Sequence, residues 1–451
     1  MKPSAKSSTP VSSSPLPDWQ QLDRQHVWHP LTLAQLEPEL LAISRAKGGW
    51  LYRPDGGGLL DMISSWWVNV HGHGHPALVR AIAAQAKQLD HVLFGGVMHP
   101  AAAELAGALH RHLPPSLSRF FFSESGAVAV EIALKQAFQY WRNLGQSQRR
   151  RFVAFDEAYH GETFGTMSVS GQLSYSQNFQ DLLFAVDRLP FPATWIGDEA
   201  LEVKEAAALA AADRLLAEHG DTLAALIIEP LVQGAAGMRM CRPAFLNQLL
   251  AKFRAAGVLI IFDEVMVGFG RTGTLFALEQ LAEVPDILCL SKGLSGGILP
   301  LGLTVTSEAM FAVFDADNWD RGFAHSSSFG GNPIACAAAI ASLQLFAQPK
   351  PWAAMNRLQA WYQGVIADFQ SHPSLGRWRQ CGNILAVDFT DVTTDYGSAF
   401  SVNLRRQAAN HGLLLRPLGN SLYLMPPYCL SASDLKIAKS NLHQLIATVL
   451  S

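Results

Sequence analysis

Apolar runs and amphipathic stretches alternate along most of the chain. Strands are predicted over 118–125, 151–159, 222–232, 257–265, 286–292 and 302–307. Apolar residues at helical spacing predict helices over 75–92, 126–143, 208–220 and 244–257. Continuous apolar strands that alternate with amphipathic helices indicate a mainly parallel sheet covered on both faces, which is an α/β fold.

The pattern changes after about residue 335. Long helices are predicted over 332–347, 352–370 and 433–450, with short strands over 383–389, 413–418 and 421–427. We therefore expect a smaller α+β domain built from 18–75 and 336–451, beside a large cofactor-binding domain over 76–335. Residues 1–17 are mostly Ser, Pro and Lys, and we expect a disordered tail there.

Composition narrows the class of protein. With 49% apolar and 16% charged residues, the chain has ample material for a core. Lys and Arg number 34 against 37 Asp and Glu, so a basic excess typical of nucleic-acid binding is missing. The five cysteines form no CxxC pair, and no apolar run reaches the roughly 18 residues of a membrane helix. We expect a soluble cytoplasmic enzyme.

Three polar groups follow predicted strands, where ligands bind in open α/β sheets. Residues 123–127 (SESGA) open a helix, whose N–H groups suit a phosphate, although an ordinary Ser/Gly cap would look the same. Asp263 could hold a cofactor's ring nitrogen or form an internal salt bridge. Lys292 could be a Schiff-base nucleophile or a lysine at a loop mouth. Together they match the phosphate, ring nitrogen and aldehyde of pyridoxal phosphate.

Two further motifs point elsewhere but carry less weight. Residues 268–273 match GxGxxG, yet the acidic residue that a dinucleotide site needs about 20 positions on is missing. His71, His73 and His75 resemble a metal cluster. Glycine spacers make that segment a flexible turn, and neither a carboxylate nor a cysteine stands near to complete a ligand set, so we expect no metal.

Several segments together carry a family resemblance. Residues 263–273 (DEVMVGFGRTG) and 286–297 (DILCLSKGLSGG) resemble the class III aminotransferases of fold type I, which are pyridoxal-phosphate enzymes. The resemblance runs from about residue 25 to the C-terminus. Residues 61–76 (DMISSWWVNVHGHGHP), 91–100 (HVLFGGVMHP) and 415–428 (LRPLGNSLYLMPPY) resemble the branch that serves biotin synthesis. That branch aminates 8-amino-7-oxononanoate to 7,8-diaminononanoate, usually with S-adenosylmethionine as amino donor.

The resemblance implies roles for individual residues. Lys292 would be the Schiff-base lysine and proton shuttle, and Asp263 would pair with the pyridinium nitrogen. The other implied cofactor contacts come from seven positions: Gly126 and Ala127 at the phosphate, Tyr159 and Val265 on the ring faces, Glu229 beside the cofactor, and Ser327 and Ser328 at the phosphate of the neighbouring subunit in a homodimer. The implied substrate contacts are Trp67, Tyr159, Arg271, Ser326 and Arg416, of which Arg416 would clamp the carboxylate of the keto acid.

One position departs from the family pattern. Leu31 stands where the family usually has a tyrosine that helps to hold substrate, and leucine cannot donate a hydrogen bond. The amino donor therefore stays open between S-adenosylmethionine and lysine. Two other readings also remain: a class III aminotransferase for an ω-amino acid or diamine, and a non-catalytic protein on the same fold.

Overall fold

The computed structural model describes residues 18–37, 39–171, 174–392 and 397–450. The predicted disordered tail, residues 1–17, lies outside these ranges. Within them the strands are β1 Arg45–Lys47, β2 Trp50–Tyr52, β3 Gly58–Asp61, β4 Leu117–Ser123, β5 Arg151–Phe155, β6 Asp187–Leu189, β7 Leu223–Ile228, β8 Val232–Gln233, β9 Arg239–Met240, β10 Leu259–Asp263, β11 Ile287–Leu290, β12 Gly302–Ser307, β13 Leu375–Cys381, β14 Ile384–Phe389, β15 Leu413–Leu414 and β16 Ser421–Leu424.

Helices cover both faces of the main sheet and most of the C-terminal part. They are α1 Trp19–His26, α2 Ser64–Trp67, α3 Pro76–Gln88, α4 Pro100–His110, α5 Gly126–Asn143, α6 Phe164–Val169, α7 Leu201–His219, α8 Pro243–Ala255, α9 Glu308–Ala312, α10 Pro333–Phe346, α11 Pro349–Phe369, α12 Ala399–Asn410 and α13 Ala432–Val449. Five of them begin with proline, whose fixed φ suits the first helical position and whose missing N–H costs nothing there.

The main sheet has seven strands in the order β4-β12-β11-β10-β7-β5-β6. β10 pairs in parallel with β7 and β11, and β5 pairs in parallel with β7 and β6. β12 runs antiparallel to both of its neighbours. The prediction of a mainly parallel sheet is confirmed, and each of β7, β10 and β11 is buried along its whole length, as strands covered on both faces must be.

A second sheet joins the two ends of the chain. Its order is β1-β2-β3-β15, and β15 pairs in parallel with β3 through Leu413 and Leu60. The N-terminal segment therefore packs with the C-terminal part, although most of the chain separates them in sequence. A third sheet, β13-β14-β16, completes that region.

Most of the predicted strands are shorter in the structure, and two of those in the C-terminal part end near proline. The strand expected over 413–418 stops at Leu414, before Pro417, and the one over 421–427 stops at Leu424, before Pro426. Proline has no N–H to give to a ladder, so pairing ends ahead of it. None of the helices in the described ranges combines the length and apolarity that a membrane crossing requires.

Candidate active site

A cavity of about 130 Å³ opens where the strands of the main sheet end. It is lined by Trp67, Gly126, Ala127, Tyr159, His160, Gly161, Glu229, Asp263, Val265, Met266, Ser291 and Lys292. All of them except Trp67, which lies on α2, follow β4, β5, β7, β10 or β11 or complete the strand, and these strand ends meet at one edge of the main sheet. Eight of the residues predicted from the sequence meet there: Trp67, Gly126, Ala127, Tyr159, Glu229, Asp263, Val265 and Lys292.

Lys292 begins a short 3-10 turn, Lys292–Ser295, directly after β11. Its backbone has φ 42°, a left-handed conformation that side chains rarely adopt and that is often found at functional sites. Burial lowers the pKa of its amine below the usual value, and Arg271 lowers it further, while Asp263 and Glu229 act in the opposite direction. The amine lies 5.2 Å from the ring centre of Trp67. A lowered pKa leaves more of the amine unprotonated, and only that form is a nucleophile.

Asp263 is the last residue of β10 and is buried. Oδ1 accepts the N–H of Val265 at 3.0 Å, and Oδ2 lies 2.7 Å from Nδ1 of His160. Nε2 of His160 is buried, and within the described part of the chain it has no hydrogen-bond partner. Sequence reasoning missed His160, although its place next to Tyr159 on the loop after β5 was a usable signal.

Glu229 follows β7 and is also buried. Its two oxygens accept the N–H groups of Tyr159 and Gly234, both at 3.0 Å. Burial raises the pKa of this carboxyl to about 7, and the nearby Asp263 adds to the effect, while His160 and the two N–H groups oppose it. Glu229 therefore changes its charge near neutral pH.

The loop before α5 forms a narrow cradle. Ser125 caps the helix by accepting the N–H of Val128 at 3.3 Å, which leaves the first turn's N–H groups directed outward from the helix end. A Cβ on Gly126 would stand only 2.6 Å from Cγ1 of Val265, so a larger residue would not fit beside that wall. The phosphate cup predicted from residues 123–127 thus has both the helix N-terminus and the small residue that close approach needs.

Two aromatic side chains bound the cavity. Tyr159 donates its hydroxyl to Glu162 at 3.2 Å, and burial raises its pKa far above the usual value. Trp67 is 6% exposed and donates its indole N–H to the hydroxyl of Tyr423 at 2.7 Å. These contacts fix the orientation of two flat aromatic surfaces that line the cavity.

Arg416 does not line this cavity and lies on the chain that follows β15. Its Nη2 donates to the carbonyl oxygen of Leu31 at 3.0 Å, and its guanidinium carbon lies 4.6 Å from the ring centre of Trp66. Of the two neighbouring tryptophans, only Trp67 was a predicted site residue, and Trp66 was missed. The SSWW motif held both, but the sequence could not tell which indole meets Arg416.

Arg271 is almost fully buried rather than open to the cavity. It donates to the carbonyl oxygens of Trp67 at 3.1 Å and Pro426 at 3.3 Å, and it packs over the ring of Tyr428. Its charge still influences the pKa of Lys292. Arg271 thus helps to fix the backbone of Trp67, which lines the cavity.

Ser326, Ser327 and Ser328 lie on the segment that precedes α10, apart from the lining of the cavity. Ser326 and Ser328 are exposed, and the Ser327 hydroxyl donates to the Glu124 carboxylate of the same chain. A surface position is compatible with contacts to a second subunit.

The three histidines of residues 71–75 point to different partners. His71 lies 3.0 Å from the Ser342 hydroxyl, His73 lies 2.8 Å from the Asp61 carboxylate, and His75 caps α3. Burial lowers the pKa of His71 to about 3. Within the described ranges, no group of three or more His, Cys, Asp or Glu side chains is placed to hold a metal ion.

The α/β fold and the cavity around Lys292 together define a class of protein. Comparison with known families identifies that class. The model of the family "Aminotransferase class-III" matches residues 33–446, and the chain belongs to this family. The chain is 50% identical over 411 residues to the adenosylmethionine-8-amino-7-oxononanoate aminotransferase of Synechococcus elongatus, covering 91% of this chain and 96% of that protein. The enzyme of the same name from Geobacter sulfurreducens is 35% identical, covering 96% and 98%.

Solved structures agree with this assignment. The adenosylmethionine-8-amino-7-oxononanoate aminotransferase of Methanocaldococcus jannaschii superposes with a TM-score of 0.88 at 29% identity, covering 95% of this chain and 98% of that chain. An amine transaminase from an uncultivated Pseudomonas species, solved with pyridoxal phosphate bound, gives 0.88 at 30% identity, covering 94% and 99%. The expected class III family and fold type I are confirmed.

Proposed function

We propose that this chain is a pyridoxal-phosphate-dependent aminotransferase that converts 8-amino-7-oxononanoate into 7,8-diaminononanoate in biotin synthesis, with S-adenosylmethionine as the amino donor. The observation that carries the chemistry is the partly buried Lys292 amine in a cavity that also holds the Asp263 and Glu229 carboxylates. The substrate follows from the relatives that bear its name, of which one is 50% identical to this chain.

The residues of the cavity fit pyridoxal phosphate. The helix N-terminus at Gly126 and Ala127 suits its phosphate, and the fixed carboxylate of Asp263 suits its ring nitrogen. Tyr159 and Val265 supply the flat and branched surfaces that would cover the ring. When bound, this cofactor supplies an aldehyde for the amine and a protonated ring that draws electrons from the reacting carbon.

The chain's own residues account for orientation and proton transfer. Lys292 would hold the cofactor through its amine, and once released it would take the proton from the α-carbon of the donor. Asp263 would place a carboxylate oxygen beside the ring nitrogen, because His160 and the Val265 N–H hold the carboxylate in place. Trp67 and Tyr159 line the cavity beside the Lys292 amine and give it apolar surroundings.

The substrate side of the site supports a carboxylate clamp at Arg416. Its guanidinium group contacts the Leu31 carbonyl and the face of Trp66, which is next in sequence to the cavity residue Trp67; a planar guanidinium suits a carboxylate. Ser326 and Arg271 remain proposed substrate residues, with Arg271 acting through the backbone of Trp67. Lysine as donor is the alternative that Leu31 keeps open.

We further propose a homodimer in which Ser327 and Ser328 reach the phosphate site of the partner. Large apolar side chains lie exposed on the described surface near this segment, among them Met98 at 93% and Phe329 at 60%. Next to them, a groove of about 400 Å³ runs along the edge strand β4. Exposed apolar side chains grouped beside a groove in this way support an interface between subunits.

Domain division and location are part of the same proposal. The pairing of β3 with β15 supports a small domain that combines 18–75 with 336–451, against a large domain over 76–335. Because α10 spans Pro333–Phe346, the border at 335 falls inside this helix, which would then link the two domains. A cytoplasmic location fits a biotin-synthesis enzyme.

A donor panel tests the proposal. Purified protein with pyridoxal phosphate is given 8-amino-7-oxononanoate and, in separate reactions, S-adenosylmethionine, lysine, ornithine or 4-aminobutyrate, and 7,8-diaminononanoate is measured. We expect product with S-adenosylmethionine and none with Lys292→Ala. Product with lysine alone would replace the proposed donor, and the absence of product with every donor would contradict the proposed substrate.

A further inference from the structure

The segment with both active-site tryptophans has an unusual backbone. Three of its non-glycine residues, Ser64, Ser65 and Trp67, have φ values of 51°, 59° and 66°. Such left-handed conformations persist only where surrounding contacts hold them. The name tryptophan turn is used below for residues 64–67.

Asp61 supplies much of that hold. It is the last residue of β3, and its side chain is fully buried. Oδ1 accepts the N–H of Ser65 at 2.8 Å and that of Ile63 at 3.3 Å, and Oδ2 accepts the Ser65 hydroxyl at 2.9 Å. A single carboxylate therefore fixes the start of the tryptophan turn by three hydrogen bonds.

His73 fixes Asp61 in turn. Its Nε2 lies 2.8 Å from Asp61 Oδ2, and its own backbone exchanges two hydrogen bonds with Gly48, of 2.8 and 2.9 Å. Gly48 lies between β1 and β2, in the sheet to which Asp61 also belongs through β3. The contact therefore anchors the chain on both sides of the tryptophan turn, at Asp61 before it and at His73 after it, to one sheet.

The turn delivers two different side chains to the site. Trp66 lies under the guanidinium group of Arg416 at 4.6 Å, and Trp67 lies 5.2 Å from the Lys292 amine. A rotation of the turn would therefore move both indoles together. Trp66 would shift relative to Arg416, and Trp67 would shift relative to the Lys292 amine.

We propose that Asp61 and His73 are a positioning pair, which sets the tryptophan turn and through it the geometry of the substrate subsite. The proposal rests on the proposed function for the identity of the substrate. Neither residue lines the cavity. Loss of the pair is expected to weaken the keto acid more than it slows the chemistry, because Trp66 orients the Arg416 guanidinium group and a hydrogen bond from a charged group is worth roughly ten- to a hundredfold in affinity.

The test uses His73→Phe and His73→Gln in the full chain. Phenylalanine keeps a flat ring but removes the donor, whereas glutamine keeps an N–H donor. In His73→Phe the KM for the keto acid should rise roughly ten- to a hundredfold, which is the worth of one hydrogen bond from the Arg416 guanidinium group, with a much smaller change in kcat. His73→Gln should recover most of the parental KM.

A second measurement does not depend on turnover. The 11 tryptophans are replaced by 5-fluorotryptophan, and the ¹⁹F signals of Trp66 and Trp67 are assigned with Trp66→Phe and Trp67→Phe. In cofactor-free protein, His73→Phe should shift both signals, and His73→Gln should leave them near the parental positions. If the parent does not turn over the keto acid, the proposed function fails, while the ¹⁹F signals still decide the positioning role.

The matched control is His443→Phe, which removes a His–Asp contact of the same 2.8 Å length, to Asp368, on helices far along the chain. It should change neither KM nor the two signals. Parental signals and KM in His73→Phe would overturn the proposal, as would equal effects of His73→Phe and His443→Phe.

Discussion

Nδ1 of His160 lies 2.7 Å from Oδ2 of Asp263, on the cavity side of β10. The two residues belong to different strand ends, since His160 follows β5 and Asp263 completes β10. With the Val265 N–H at 3.0 Å on the other oxygen, the carboxylate has one orientation. A carboxylate fixed in this way needs no reorganisation when charge develops beside it.

Replacing Asp263 by asparagine should slow the first half-reaction. An amide cannot keep a ring nitrogen protonated, and a hydrogen bond to a charged group contributes about 1.5–3 kcal/mol, or roughly ten- to a hundredfold in rate. Stopped-flow absorbance with excess donor measures the step. Asp368→Asn, which changes a carboxylate in the α11–α13 contact, is the control. An unchanged rate in Asp263→Asn would assign Asp263 a structural role.

Lys292→Ala should abolish turnover while the protein still folds and binds the cofactor. The lysine is expected to act both as nucleophile and as proton carrier, and acid–base catalysis alone typically contributes roughly 10²–10⁴ in rate. Turnover is measured together with the near-ultraviolet dichroism of the folded protein. A variant within tenfold of the parent would rule Lys292 out as the catalytic lysine.

The sequence predicted those parts of the structure that depend on local pattern. Helix α5 was predicted over 126–143 and occupies that range, because its small residues and Ser125 define its start. The ends of β10 and β11 placed Asp263 and Lys292 at one edge, since parallel strands end together. With the segment 123–127, these two residues predicted pyridoxal phosphate, and the resemblance to class III aminotransferases agreed with that cofactor.

What the sequence could not predict depends on contacts between distant segments. Arg416 meets Leu31 across 385 positions, and Trp66 rather than Trp67 lies under it. The contact between Asp61 and His73 forms only when β3 lies beside the turn between β1 and β2. No periodicity or spacing reports such pairings, because they arise from tertiary packing.

The pH dependence of stability should carry a contribution from Glu229. Its carboxyl pKa is raised from 4.5 to about 7, mainly by burial, so the folded protein keeps a proton that the unfolded chain releases. The contribution of Glu229 to the free energy of unfolding should therefore be largest below pH 4.5 and fall by up to about 1.4 kcal/mol per pH unit as pH rises to about 7.

Chemical denaturation of cofactor-free protein between pH 5 and 8 measures this slope, with Glu229→Gln for comparison. Glu264, whose pKa burial raises to about 8, contributes in the same direction in both proteins, so their difference isolates Glu229. Equal slopes in the two proteins would show that Glu229 does not titrate in this range.

Arg416→Ala should weaken the keto acid far more than the donor. Removing one partner of a desolvated charge pair typically costs about 2–5 kcal/mol. Because the two half-reactions of a ping-pong enzyme can be measured separately, each substrate's affinity is obtained by itself. Arg405→Ala, which breaks the ion pair with Glu37, is a control for loss of an arginine. Equal weakening of both substrates would contradict a dedicated clamp.

Leu31→Tyr should raise efficiency with S-adenosylmethionine, with the keto acid, or with both. The carbonyl oxygen of Leu31 already accepts from Arg416, so residue 31 lies beside the proposed clamp. A hydroxyl there could add one hydrogen bond, worth roughly 0.5–1.5 kcal/mol, or about 1.5–3 with a charged partner. At 1.36 kcal/mol per tenfold, the parent would lack about one to two decades of specificity while still using the donor.

Leu31→Phe supplies the ring without the hydroxyl, and an equal gain in both variants would assign the effect to apolar contact. The donor panel is run on all three proteins. Turnover of the parent with lysine and none with S-adenosylmethionine would contradict the proposed donor. A Leu31→Tyr variant that is no better with either substrate would show that the missing hydroxyl does not limit this pocket.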